Sequence, residues 1–174
     1  MTKAKSATVQ VTLQSEHPLR FDITSNDLPK DANGDLVFTN DHHPGFNVDF
    51  QFSDATLANY LFPPNAQKAE AVWSLLGASN CPTETASEVF QPLKVSSDCK
   101  TLTVHNSNEG PNVGHFGYTL RVTKDGGTTF LALDPGGLNQ NGATSYSMST
   151  AVAFAFGAAV GVLLTLGTQA LLTT

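Results

Sequence analysis

The residues with the clearest chemical potential are Asp134 and Pro135, an adjacent pair at the point where the charges of the chain end. From Pro135 to Thr174 the sequence contains no Asp, Glu, Lys, Arg or His. An aspartate side chain can attack its own main-chain carbonyl, which forms a cyclic anhydride and releases the next residue. Proline favours this reaction because its nitrogen is a more basic leaving group. The Asp134–Pro135 bond is therefore a candidate site of self-cleavage, although most Asp-Pro pairs are ordinary strand ends or turns.

Self-cleavage at neutral pH needs a proton for the leaving nitrogen, a water and donors for the oxyanion. The pair Asp125-Gly126 favours a two-residue hairpin turn. In that register Asp134 lies opposite Gly117, and His115 and Thr119 are its diagonal neighbours on the same face. Diagonal neighbours lie roughly 7–8 Å apart, and imidazole titrates near neutrality. We therefore predict that His115 transfers the proton.

Other candidate sites are weaker. The run Asp41-His42-His43-Pro44 has the residue types of a metal or phosphoesterase site, but no further ligands stand at a recognisable spacing, so a polar loop is the favoured interpretation. Asp49 alternates outward on a predicted strand, where it is either solvated or able to hold a water. We predict no metal, no cofactor and no small-molecule ligand.

Charge and cysteine content limit the classes of partner. The net charge is −6 and falls entirely before residue 135, which argues against a nucleic-acid partner. The first fourteen residues alternate and lack an apolar export core, so we expect no signal peptide. Cys81 and Cys99 could pair, but without an export signal we expect reduced thiols.

Residues 1–135 are predicted to form one β-sandwich domain. Apolar residues alternate along two clear stretches, with Phe46, Val48, Phe50 and Phe52 on one predicted face and residues 116, 118, 120 and 122 on another. Turn signals recur about every ten residues, which favours an antiparallel sandwich. One short helix is expected over residues 66–76, with Gly77 as its cap.

The C-terminal segment is predicted to contain a linker and a membrane anchor. Residues 136–147 are rich in Gly, Asn, Ser and Thr and favour a flexible linker, and residues 148–172 carry no charge and no proline. A helix of that length extends about 37 Å, enough to cross a bilayer core of roughly 30 Å. We predict a single-pass C-terminal anchor with a cytoplasmic body. The alternatives are a buried hydrophobic hairpin or an oligomerising tail, either of which would leave a cytoplasmic protein.

Small residues recur every four positions along the predicted helix. This spacing lets two helix backbones approach closely in lipid, which predicts self-association of the tail, although Ala and Gly are common in such segments. The stripe consists of Ser149, Ala153, Gly157, Gly161 and Thr165.

The end of the body resembles a known family. Two segments joined by a short turn resemble the end of the DP-EP family of small bacterial proteins. They are Phe116-Gly117-Tyr118-Thr119-Leu120-Arg121-Val122 and Leu133-Asp134-Pro135. The run Asn47-Val48-Asp49-Phe50 is compatible with the same family. The resemblance covers roughly residues 6–140. It implies an immunoglobulin-like β-sandwich that cleaves itself at Asp-Pro as a water-using aspartic-type endopeptidase. It also implies that the protein self-assembles.

The chain departs from the family pattern at one position. In the family a lysine precedes the tyrosine, whereas this chain has Gly117 there. That lysine can capture the aspartate carbonyl as an amide crosslink, and a glycine cannot. Hydrolysis by water needs only the aspartate and a base. The leading hypothesis is therefore a body that cuts itself at Asp134–Pro135 and detaches from its tail. The alternative is a non-catalytic, membrane-anchored interaction or assembly module.

Overall fold

The computed structural model describes residues 3–39, 44–57, 59–77, 81–109 and 112–139, all of which lie within the compact unit Met1–Ala143. The described chain is mainly β, with ten strands and a 3-10 helix, Asn65–Glu70. The strands are β1 (Lys5–Glu16), β2 (Leu19–Thr24), β3 (Leu36–Phe38), β4 (Phe46–Phe52), β5 (Val72–Leu76), β6 (Phe90–Val95), β7 (Thr101–Asn106), β8 (Gly114–Val122), β9 (Leu131–Leu133) and β10 (Gly136–Asn139).

The strands form two sheets, each containing one parallel pair. The first sheet has the order β2-β1-β4-β7-β6, and the second has the order β3-β10-β8-β5, with β9 also paired to β8. The parallel pairs are β1 with β4 and β3 with β10. The expected purely antiparallel sandwich is therefore corrected to two mixed sheets. Parallel neighbours need a crossover rather than a hairpin, and here the chain visits other strands between the members of each pair.

The core lies between the two sheets. Phe50 of β4 and Tyr118 of β8 have ring centroids 5.8 Å apart, and Phe38 of β3 lies 5.9 Å from Phe90 of β6. The predicted inward alternation of β4 is confirmed, although Phe52 is only partly buried and stacks on Phe62. Burial of each such side chain contributes about 1.5–3 kcal/mol, so these rings hold the sheets face to face.

The helix expected over residues 66–76 is replaced by two elements. A 3-10 helix covers Asn65–Glu70, and Val72–Leu76 forms β5. Val72 and Ser74 are fully buried, whereas the alternate residues on the strand are more exposed. Pairing with β8 therefore overrides the helix-favouring composition of this segment.

The predicted tail elements fall largely outside the described residues. The helix over 148–172, its small-residue stripe and residues 140–147 of the linker are in that part of the chain. Gly136–Asn139, which the composition assigns to the linker, forms β10 instead. Within the described ranges no helix is long and apolar enough to cross a membrane.

Candidate functional site at the Asp134–Pro135 bond

The two strands that flank the Asp134–Pro135 bond pair with β8 in one continuous register. Leu133 of β9 lies opposite Leu120, and Gly136 of β10 lies opposite Gly117. Counting between these pairs sets Asp134 opposite Thr119 and Pro135 opposite Tyr118. The predicted register, with Asp134 opposite Gly117, was wrong by two residues. A two-residue shift keeps every side chain on its predicted face, so Thr119 still shares a face with Asp134.

The loop between β8 and β9 explains the shift. Its centre is Gly126-Gly127, where φ is +72° and +99°, a conformation that favours glycine. Asp125 does not occupy a two-residue turn. Its carboxylate accepts hydrogen bonds from the backbone N–H groups of Thr128 and Thr129, at 3.0 and 2.9 Å, and from the hydroxyl of Thr123 at 2.7 Å. These bonds lower the pKa of Asp125 and hold a wider loop.

Pro135 creates the gap between β9 and β10. The backbone N–H of Tyr118 donates to the Pro135 carbonyl oxygen at 3.3 Å. In an antiparallel pair the opposite residue would donate in return, but proline has no N–H. The candidate bond therefore lies at a defect inside an otherwise continuous strand, where the backbone on both sides is fixed.

Asp134 is an exposed residue, and one hydroxyl holds its carboxylate. Its Oδ1 atom lies 2.8 Å from Thr119 Oγ1, and the same hydroxyl lies 2.8 Å from the carbonyl oxygen of Pro82. Thr119 is 2% exposed. Its single proton cannot serve both acceptors fully.

Cys81 is a residue of the site that the sequence did not reveal. Its thiol donates to the Pro135 carbonyl oxygen, with Sγ and O 3.4 Å apart. Burial, reinforced by the negative charge of Asp134, raises the pKa of this thiol to about 11. The sulfur is consequently protonated at neutral pH, where it can donate a hydrogen bond but is a poor nucleophile.

Asp35 approaches the bond from the side of β10. It precedes β3, and its carboxylate faces the backbone of Gly136, the residue after the proline. Burial and the neighbouring Asp31 raise the pKa of Asp35, against smaller opposing effects of His115 and Gly136. A carboxyl group whose pKa is raised is better able to carry a proton at mild pH.

His115 is not brought beside Asp134. It lies opposite Leu138 and is exposed, four residues along β8 from Thr119, which corresponds to about 13 Å. The predicted diagonal contact with Asp134 is therefore corrected. His115 instead joins Asp31 and Asp35, and one ligand atom from each lies within 4.8 Å of the others.

Two carboxylates and an imidazole are donors that suit a divalent cation, and Asp31, Asp35 and His115 are the described residues that could hold one.

The loop singled out in the sequence as a metal candidate, residues 41–43, lies outside the described residues. Asp49 is in the other sheet, where its Oδ1 accepts a hydrogen bond from Thr103 Oγ1 at 2.5 Å, so it does not hold a water at the Asp134–Pro135 bond.

Comparison with known proteins adds no relative. No family model matches this sequence, and no curated protein gives a significant match.

Proposed function

We propose that this chain hydrolyses its own Asp134–Pro135 peptide bond, as an autocatalytic aspartic-type endopeptidase. The observation that carries the proposal is the position of the bond. It lies at the one break in the strand formed by β9 and β10, where Asp134 is exposed and Thr119 holds its carboxylate. The resemblance of the segment to the DP-EP family supports the same reaction.

The reaction follows from the residues at the break. A carboxylate oxygen of Asp134 attacks its own main-chain carbonyl carbon, and a tetrahedral intermediate with a five-membered ring forms. The carbon–nitrogen bond of this intermediate breaks as the carbonyl re-forms, which gives a cyclic anhydride, and the Pro135 nitrogen takes a proton to leave as a secondary amine. One water opens the anhydride, which regenerates the side-chain carboxyl and leaves a new carboxyl terminus at Asp134. The sum of the two products is the intact chain plus one water.

Asp35 is better placed than His115 to supply the proton. Its carboxylate faces Gly136, one residue from the leaving nitrogen, and its pKa is raised. His115 lies further along β8, and its ring is near the Asp35 carboxylate rather than at the bond. General acid catalysis of this kind typically contributes 10²–10⁴-fold to a rate. We expect Asp35→Asn to slow cleavage by at least tenfold, and His115→Gln to have a smaller effect.

The proposal is tested by the intact mass of the purified full-length chain during incubation at neutral pH. We expect fragments 1–134 and 135–174 to accumulate in the unmodified protein and to be absent in Asp134→Asn. The asparagine is isosteric and retains an acceptor for Thr119, so loss of cleavage is not explained by misfolding. A wild-type chain that stays at full mass for days would overturn the proposal.

Gly117 decides between hydrolysis and crosslinking. It lies opposite Gly136 on β8 and offers no amine. In Gly117→Lys, the new amine could take the place of water and join Asp134 through an amide. An N-terminal product carrying this amide would be lighter than the hydrolysed product by one water, about 18 Da. Intact mass therefore separates the two outcomes in the same experiment.

A second candidate function rests on the uncharged C-terminal sequence. Residues 135–174 contain no Asp, Glu, Lys, Arg or His, as expected if a non-catalytic, immunoglobulin-like sandwich were anchored in a membrane and self-associated through its tail. Membrane fractionation of the Asp134→Asn chain tests this. Partitioning that is unchanged by deletion of residues 148–174 would contradict an anchor.

A further inference from the structure

The strand that follows the Asp134–Pro135 bond is an internal strand of the second sheet. β10 lies between β3 and β8, parallel to the first and antiparallel to the second. Its residues Gly137, Leu138 and Asn139 lie opposite Leu36, Val37 and Phe38 of β3, and the whole of β10 pairs with β8. The C-terminal product of cleavage would therefore begin with a strand already inserted into the fold.

Two features fit β10 to its place. A Cβ atom on Gly137 would collide with the ring of Phe116, a core residue that is 2% exposed, so this position requires glycine. Asn139 is 1% exposed and exchanges two hydrogen bonds with the amide of Asn106 in β7, at 2.7 and 3.1 Å. It also donates to the carbonyl oxygen of Asn112 at 2.6 Å. These bonds tie the strand to both sheets.

We propose that the groove between β3 and β8 is a binding site for the chain's own C-terminal segment, and that it retains this segment after the bond is cut. The inference rests on the proposed self-cleavage as the source of the free segment. Withdrawal of β10 would expose the facing edges of β3 and β8 and leave the buried Nδ2 atom of Asn106 without its acceptor, and both changes are unfavourable. The sandwich and its tail thus become two chains held by hydrogen bonds and packing.

Cleavage itself removes none of these contacts. The cut bond belongs to the interval between β9 and β10, where Asp134 accepts from Thr119 and Pro135 accepts from Tyr118 and Cys81. The new amine of Pro135 is positively charged at neutral pH, and the new carboxyl terminus at Asp134 lies beside it. This pairing favours retention of the strand. The expected product is a nicked protein with an intact fold.

A nick made without the Asp-Pro chemistry tests retention separately from self-cleavage. We would insert a site-specific protease sequence between Gly126 and Gly127 in the full-length Asp134→Asn chain, in the loop between β8 and β9. Proteolysis and size exclusion are carried out in the same detergent. Denaturing electrophoresis should then show two fragments, and size exclusion should show one species of the uncut size. Two separate native species would overturn the proposal, whether or not the unmodified chain cleaves itself.

Matched variants test whether the packing of β10 retains the nicked fragment. Gly137→Ala should increase the dissociation rate of the nicked fragment at least tenfold, because the added methyl group meets the Phe116 ring. Leu138→Ala, on the opposite face of the same strand, should change it less than threefold. If Gly137→Ala does not fold, Asn139→Ala serves in its place. Equal dissociation rates in Gly137→Ala, or its substitute Asn139→Ala, and in the control Leu138→Ala would contradict the proposed site.

Discussion

Replacement of Asn139 by alanine is the perturbation whose cost follows most directly from the structure. The substitution leaves the Nδ2 atom of Asn106 buried without an acceptor and the carbonyl oxygen of Asn112 without its donor. The Oδ1 atom of Asn106 keeps a partner, because it also accepts from the backbone N–H of Asn108 at 2.9 Å. An orphaned buried donor costs about 1–3 kcal/mol, and the lost side chain adds to this. We expect the free energy of unfolding to fall by about 2–4 kcal/mol.

Such a loss is a substantial part of the 5–15 kcal/mol that stabilises a typical domain. The fluorescence of Trp73, the only tryptophan of the chain, reports urea unfolding in the Asp134→Asn background, where no cleavage complicates the transition. We expect a lower midpoint at an unchanged denaturant slope, and a melting temperature lower by about 10 °C.

A double-mutant cycle with Asn106→Ala isolates the amide pair. The double variant should lose at least 1 kcal/mol less than the sum of the single losses, since the two side chains act as a unit. A loss below 0.5 kcal/mol for Asn139→Ala, or additive effects in the cycle, would show that this pair does not hold β10 in place.

Further predictions concern the groups around the bond. Asp134→Asn removes a charge that raises the pKa of Cys81, so alkylation of Cys81 at pH 8 should accelerate several-fold while Cys99 stays unchanged as the internal control in the same peptide map. The pKa of Asp35 is higher in the folded chain than its usual 3.8, so its proton stabilises the fold below that pH, and this contribution is lost as pH rises through the folded pKa. Asp35→Asn should flatten that part of the stability profile and raise stability at pH 7 by no more than about 1 kcal/mol, since the carboxylate is largely screened by water. Unfolding free energies measured from pH 3 to pH 7 that decline equally in the variant and the parent would contradict this role of Asp35.

Local patterns in the sequence predicted much of the fold. The alternation in β4 and β8 identified their inward faces because period two is a property of the strand itself. The segment over residues 66–76 was misassigned because its composition favours a helix, whereas its state is decided by pairing with β8. The hairpin register failed because the Asp125 side chain bonds to backbone groups three and four residues later, and this widens the loop.

The site was predictable only where it is local. The Asp134–Pro135 pair can be recognised from two adjacent residues, and its partner Thr119 from a hairpin. Cys81 and Asp35 come from segments more than fifty residues away in sequence, and no spacing relates them to the bond. His115 was misplaced by the same two-residue shift that affected the whole hairpin.

The most direct test of self-cleavage is an incubation of the full-length protein in water enriched in ¹⁸O. Hydrolysis through Asp134 places the oxygen of water in the N-terminal product, so fragment 1–134 should gain about 2 Da relative to the same fragment formed in ordinary water, while fragment 135–174 stays unlabelled. The label should map to the C-terminal peptide ending at Asp134, and Asp134→Asn should give neither fragment. A chain that remains intact, or one that is cut at another bond, would contradict the proposed reaction.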